Sequence, residues 1–130
     1  MKPFVGRKVL VVDDDDMLRE VLYDMFKNQG AEVQKAENGV VAFALIQKEH
    51  FDVVFTDVRM PGGDGITLAK QIAESEGSKP LVFFCSGFND VTREAAKLYN
   101  VIKIYDKPFE RKKVLEEIAT HLSQVPPEPR

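Results

Sequence analysis

The sequence predicts an α/β protein built on an open, doubly wound, five-stranded parallel sheet with five helices. Three observations predict it. Short β-branched runs alternate with longer stretches of helical period; the alternation occurs five times; and the first, third and fourth runs are apolar throughout, as strands buried on both faces of a parallel sheet are. Five cycles fall short of the eight a barrel needs. The sheet is therefore open, its crossovers right-handed, and its functional crevice lies at the carboxyl ends of the strands where the strand order reverses.

Each element has its own signal. Lys8 to Val12 is the first strand, and behind it Met17, Leu18, Val21, Leu22, Met25 and Phe26 recur at helical spacing until Gly30, where a C-cap glycine belongs. Ala31 to Lys35 reads as the second strand. Gly39 to Glu49 reads as the second helix, apolar on more than one face and expected to pack into the core. Phe51 to Thr56 is the third strand, with Asp52 at its start. The loop Met60-Pro61-Gly62-Gly63-Asp64-Gly65 leads to a helix carrying Ile66, Leu68, Ala69, Ile72 and Ala73, and Gly77 to Pro80 breaks the chain again. Leu81 to Cys85 is the fourth strand. Asn89 or Asp90 can cap a helix running to about Tyr99, Val101 to Tyr105 is the fifth strand, and Val114, Leu115, Ile118, Ala119 and Leu122 form the last helical stripe. The run Val125-Pro126-Pro127-Glu128-Pro129 cannot continue that helix. Residues 1–124 are thus expected as one domain and 125–130 as a Pro-rich tail or the start of a linker.

Composition narrows the function. The 130 residues suit one domain, and 18 Lys plus Arg against 21 Asp plus Glu leave a net charge of −3, which argues against a binder of nucleic-acid phosphates or of an anionic membrane. No apolar run reaches the length of a membrane span, and the N-terminus has a basic residue without a following signal-peptide core, so a cytoplasmic location is expected. The single cysteine, Cys85, excludes an internal disulfide. No Cys/His cluster has zinc spacing.

Polar residues gather at the strand ends. The first strand runs into Asp13-Asp14-Asp15-Asp16, the third into Asp57, the fourth into Ser86 and the fifth into Asp106-Lys107-Pro108. If the first and third strands are neighbours, Asp13, Asp14 and Asp57 share a cleft, and three carboxylates in one cleft call for a cation. Mg²⁺ (or Mn²⁺) suits them better than Ca²⁺, because the run lacks the alternation and the terminal Glu of an EF-hand loop. Taken alone, the run also reads as an N-cap cluster, the use expected for Asp15 and Asp16. Asp57, leaving an apolar strand for a Pro/Gly loop, is placed as a nucleophile toward phosphorus. Lys107 offers a fixed positive charge and Ser86 a hydroxyl donor for the transferred phosphoryl oxygens.

With these residues in hand, the chain resembles the response-regulator receiver domains of two-component signalling over roughly residues 7–124. The matching motifs are Val11-Val12-Asp13-Asp14, Asp57-Val58-Arg59-Met60-Pro61 with Asp64-Gly65, Ser86-Gly87, and Lys107-Pro108-Phe109. The resemblance implies the flavodoxin-like strand order 2-1-3-4-5. It implies Asp57 as phosphoacceptor, Asp14 as direct metal ligand, Asp13 as a ligand largely through water, and the Arg59 backbone carbonyl as a further ligand. Ser86 then follows the phosphoryl group, Lys107 pairs with it, and the Lys107-Pro108 bond is cis. The implied partners are a sensor histidine kinase or phosphotransfer protein as donor and an output partner or effector domain, with self-modification the only catalysis.

The chain departs from the family in one respect. Where the family often has Tyr or Phe three residues before the lysine, this sequence has Ile104. Strand alternation sends the next residue, Tyr105, to the opposite face, where it is expected on the outside as a contact residue. Cys85 is expected as a buried small hydrophobe, and His50 and His121 as surface residues apart from the acidic cluster.

Two other readings compete. A phosphohydrolase that forms an aspartyl phosphate on an external substrate, as the haloacid-dehalogenase enzymes do, needs an acid two residues after the nucleophile. Arg59 stands there, and no lid-sized insertion exists. Dinucleotide binding needs a Gly-x-Gly-x-x-Gly turn after the first strand, which carries carboxylates instead.

Overall fold

The computed structural model describes residues 3–87 and 90–126, with backbone alone at 90–92. The expected cap at Asn89, and the Asp90 side chain, lie outside the described residues, as do residues 127–130 of the tail. The elements alternate as β1 (Lys8–Val12), α1 (Asp16–Lys27), β2 (Glu32–Ala36), α2 (Gly39–Lys48), β3 (Val53–Asp57), α3 (Gly65–Glu74), β4 (Leu81–Ser86), α4 (Asp90–Leu98), β5 (Lys103–Asp106) and α5 (Arg111–Leu122). All strand pairs are parallel, in the order β2-β1-β3-β4-β5. The order reverses between β1 and β3, so their carboxyl ends form the crevice.

Side-chain alternation sorts the core into two layers. Val9, Val11, Val53, Phe55, Phe83 and Cys85 face α1 and α5, packing against Leu22, Phe26, Val114 and Ile118. Leu10, Val12, Val54, Val82 and Phe84 face the other helices, packing against Ala42, Leu68, Ile72 and Ala96. Local chemistry sets the helix ends. Asp15, Asn38 and Asp64 accept the backbone N–H of Leu18, Val41 and Thr67 at the starts of α1, α2 and α3. Gly30 has φ +94°, its N–H reaches the Lys27 carbonyl and that of Ala31 reaches Phe26, the paired bonds that end a helix on a left-handed glycine. Glu110, before α5, makes no side-chain cap.

The structure corrects two expectations and qualifies a third. Tyr105 does take the face opposite Ile104, but it is 6% exposed, stacked 6.2 Å from Phe55 and 6.5 Å from Phe83. In a doubly wound sheet the opposite face is another core layer, here beneath α5. Helix α2 does pack into the core, through Gly39, Ala42 and the partly buried Phe43, Leu45 and Ile46, but on one inward face alone, so Val40 is left 66% exposed. The histidines are half-buried: His50 Nε2 lies 3.2 Å from Asp52 Oδ1, and His121 packs edge-on to Phe83. The Lys107-Pro108 peptide is cis. Among the described residues no helix is long and apolar enough to cross a membrane.

Candidate functional site

The crevice is built by strands that stop in register. Val12 pairs with Thr56, so Asp13 and Asp57 follow side by side, and Asp57 pairs with Cys85 on its other flank. Carboxylate oxygens of Asp13, Asp14 and Asp57 lie within 4.8 Å of one another. Asp13 is fully buried, Asp57 9% exposed and Asp14 exposed at the mouth. Lys107 reaches in from the end of β5, its Nζ 3.2 Å from Asp57 Oδ2 and 3.4 Å from Asp13 Oδ2.

Each carboxylate is oriented by backbone. Asp13 Oδ1 accepts the Asp15 N–H at 2.9 Å, and Asp57 Oδ1 accepts the Val58 N–H at 2.8 Å. The next loop then turns tightly. The Gly65 N–H reaches the Val58 carbonyl, and a Cβ on Gly65 would stand 2.4 Å from the Asp57 carbonyl oxygen, so only glycine allows this approach. Ser86 ends β4, one step past the residue paired with Asp57, 1% exposed, and its carbonyl accepts the Lys107 N–H at 3.1 Å. Arg59 lies in the loop two residues beyond Asp57 with an exposed side chain.

Charge in the crevice is unbalanced. Burial lifts the Asp13 carboxyl above its usual range, Asp57 adds to that, and the Asp15 N–H and Lys107 only partly oppose it. Burial works against the Lys107 ammonium as well, but the acidic groups around it, Asp13 and Asp57 among them, outweigh burial and hold it above its ordinary value. One ammonium cannot neutralise three carboxylates. Hard oxygen donors converging within 4.8 Å fit a hard divalent cation such as Mg²⁺ and offer nothing to a soft metal. Cys85 is buried beside them, and burial pushes its thiol up to about 12, so it stands neutral as a packing residue.

The structure brings Asp13, Asp14, Asp57 and Lys107 together and sets Ser86 and Arg59 on the adjoining strand end and loop. Sequence reading missed Arg19. Its Nη1 donates to the Asp13 carbonyl at 2.8 Å and its Nη2 to the Asp16 carboxylate. The available signal was its place one helical turn beyond the four-aspartate run.

Comparison with known proteins agrees with this arrangement. The family model described as "Response regulator receiver domain" matches residues 9–119. The chain is 28% identical over 119 residues to sporulation initiation phosphotransferase F of Bacillus subtilis, covering 91% of this chain and 95% of that protein. It is 34% identical over 103 residues to regulatory protein AtoC of Escherichia coli, covering 79% of this chain but 22% of AtoC, so it spans nearly all of some relatives and a fraction of others. Among solved structures it resembles chemotaxis protein CheY4 of Vibrio cholerae, at 27% identity and a TM-score of 0.80, covering 88% of this chain and 97% of that one. The strand order, the acidic crevice where that order reverses and the family match across both lead to one conclusion: this chain belongs to the response regulator receiver domains of two-component systems.

Proposed function

We propose that the domain accepts a phosphoryl group on Asp57 from the phosphohistidine of a sensor kinase or phosphotransfer protein, and that the modification alters an output surface. The observation that carries this reading is the shared crevice: the Asp57 carboxylate lies beside Asp13 and Asp14 with Lys107 Nζ 3.2 Å away. In the step itself an Asp57 carboxylate oxygen attacks phosphorus, the P–N bond to the donor imidazole breaks, and the imidazole leaves with a proton. Asp57 Oδ1 is oriented by the Val58 N–H, which leaves Oδ2 for the attack once Lys107 turns to the incoming phosphoryl oxygens. The Ser86 hydroxyl then meets the phosphoryl group from the β4 end. Asp13, Asp14, Asp57 and the Arg59 carbonyl would hold Mg²⁺ in the crevice. When bound, the ion offsets the negative charge on nucleophile and phosphoryl oxygens. On this reading residues 1–124 are the receiver domain and the Pro-rich 125–130 a tail or the start of a linker.

The relative named as a phosphotransferase supports transfer of a phosphoryl group, and the family supports self-modification as the only catalysis. Intact-mass measurement after incubation with acetyl phosphate and Mg²⁺ tests the reading. One labile phosphoryl adduct is expected on the parent and none on Asp57→Asn, whose amide cannot attack phosphorus. Equal labelling of both moves the acceptor elsewhere, and sustained turnover of phosphate esters would favour a hydrolase.

A further inference from the structure

We infer that Arg19 is a positioning residue for the metal-binding carboxylates, holding the β1–α1 loop in the shape that lets Asp14 and Asp13 converge with Asp57. The inference rests on the proposed Mg²⁺ site and assigns it a part beyond its ligands.

Arg19 stands in the second turn from the start of α1, where a positive charge opposes the helix dipole. Its guanidinium turns back over the helix start. Nη1 donates to the backbone carbonyl of Asp13 at 2.8 Å, Nη2 binds the Asp16 carboxylate, and the side chain is 18% exposed. The carbonyl it holds belongs to the peptide joining Asp13 to Asp14. That unit is planar, so fixing its oxygen fixes the direction in which Asp14 leaves the strand. Asp13 has its own restraints, the Asp15 N–H on Oδ1 and Lys107 near Oδ2. Asp14 is set by the backbone beneath it. The planar guanidinium offers its two nitrogens as a fixed fork to the Asp13 carbonyl and the Asp16 carboxylate, whereas a lysine would have to serve both from one nitrogen on a shorter stem.

Arg19 also has an opposing effect, since a cation beside the acidic run repels Mg²⁺. Loss of the charge alone would tighten the metal, and loss of the bond to Asp13 loosens it. The positioning effect dominates on this inference, as it does for groups that orient metal ligands generally.

The test is an Mg²⁺ titration followed by backbone amide shifts in the parent, Arg19→Met and Arg19→Lys, with thermal melts of each. The expected result is about tenfold weaker Mg²⁺ binding in Arg19→Met and a smaller loss in Arg19→Lys. Faster hydrogen exchange at the Asp15 and Leu18 amides should accompany both, with the melting temperature little changed in Arg19→Lys. Unchanged or tighter binding in both variants overturns the positioning role and leaves charge repulsion as the residue's effect. If Arg19→Met fails to fold, Arg19→Lys decides alone, because it keeps the charge and loses the fork. A parent that shows no Mg²⁺ response around residues 13–16 and 57–59 overturns the underlying metal site instead.

Discussion

Cys85 shows how a side chain can stand beside the acidic crevice and serve packing. It is paired in register with Asp57 on one side and Tyr105 on the other, fully buried, with its thiol pushed by that burial from an ordinary 9.0 up to about 12. A raised folded-state value means the folded chain keeps a proton that the unfolded chain loses first. The stability this contributes is complete below the unfolded value and declines as pH rises from there toward the folded one. Tyr105 acts in the same sense at still higher pH: burial, then its hydrogen bond to Glu117, raises its phenol. Unfolding free energy should therefore fall above pH 9, with Cys85 contributing a slope of about 1.4 kcal/mol per pH unit. Urea titrations at pH 8, 9 and 10 are expected to show a flatter decline for Cys85→Ala than for the parent. Parallel declines would mean the thiol is far less buried than its neighbours imply.

At the scale of elements, the proposed switch meets an isoleucine in β5, Ile104, where the family often has a ring. Ile104 pairs with Phe84 and packs, half-buried, in the layer beneath α2, α3 and α4. A β-branched aliphatic side chain can change rotamer but cannot carry a hydroxyl between core and solvent. Tyr105 cannot replace it, because its ring is stacked in the other layer and its hydroxyl donates to Glu117 at 2.9 Å. On the proposed function, the signal is therefore expected to reach α4 through the backbone that follows Ser86. Ile104→Ala should cost about 2 kcal/mol, near the low end for such truncations because the site is half-buried, yet still pass beryllofluoride-induced amide shifts into residues 93–98. Ser86→Ala should bind beryllofluoride and pass few of them. The reverse pattern in the two spectra would reassign the switch to position 104. The sequence made the apolar strands legible because β1, β3 and β4 are buried on both faces, and it made the gathering of their polar ends legible because a parallel sheet collects them on one edge. It misread Tyr105 because alternation gives the face and not what covers that face. It missed Arg19 because a helical arginine reads as solvated surface until its backbone partner is known.

Across the whole molecule, the acidic carboxyl end of the sheet is matched by a polar lock at the other end. Arg7, 7% exposed, sends Nη2 to the carbonyls of Leu122 at the end of α5 and of Val125 beyond it, while Nη1 lies 3.5 Å from Asp52 Oδ1. Asp52 in turn accepts the Lys8 N–H at 2.7 Å and faces His50. One guanidinium therefore ties together the start of β1, the approach to β3 and the chain leaving α5, so the direction of that exit is set by a buried ion pair. A buried charge deprived of its partner is strongly destabilising, whereas removing both partners is far less so. Arg7→Ala should lose about 3 kcal/mol, and the Arg7→Ala/Asp52→Asn double variant should lose clearly less than the sum of the two single changes. Hydrogen exchange should speed up at the Gln124 and Val125 amides, which bond back to His121 and Leu122. Mg²⁺ shifts around Asp13 and Asp57, at the opposite end, should stay as in the parent. If exchange at 124–125 is unchanged while the global stability falls, Arg7 supports the core without holding the exit, and the path of the chain beyond α5 has to be fixed by the packing of Leu122 alone.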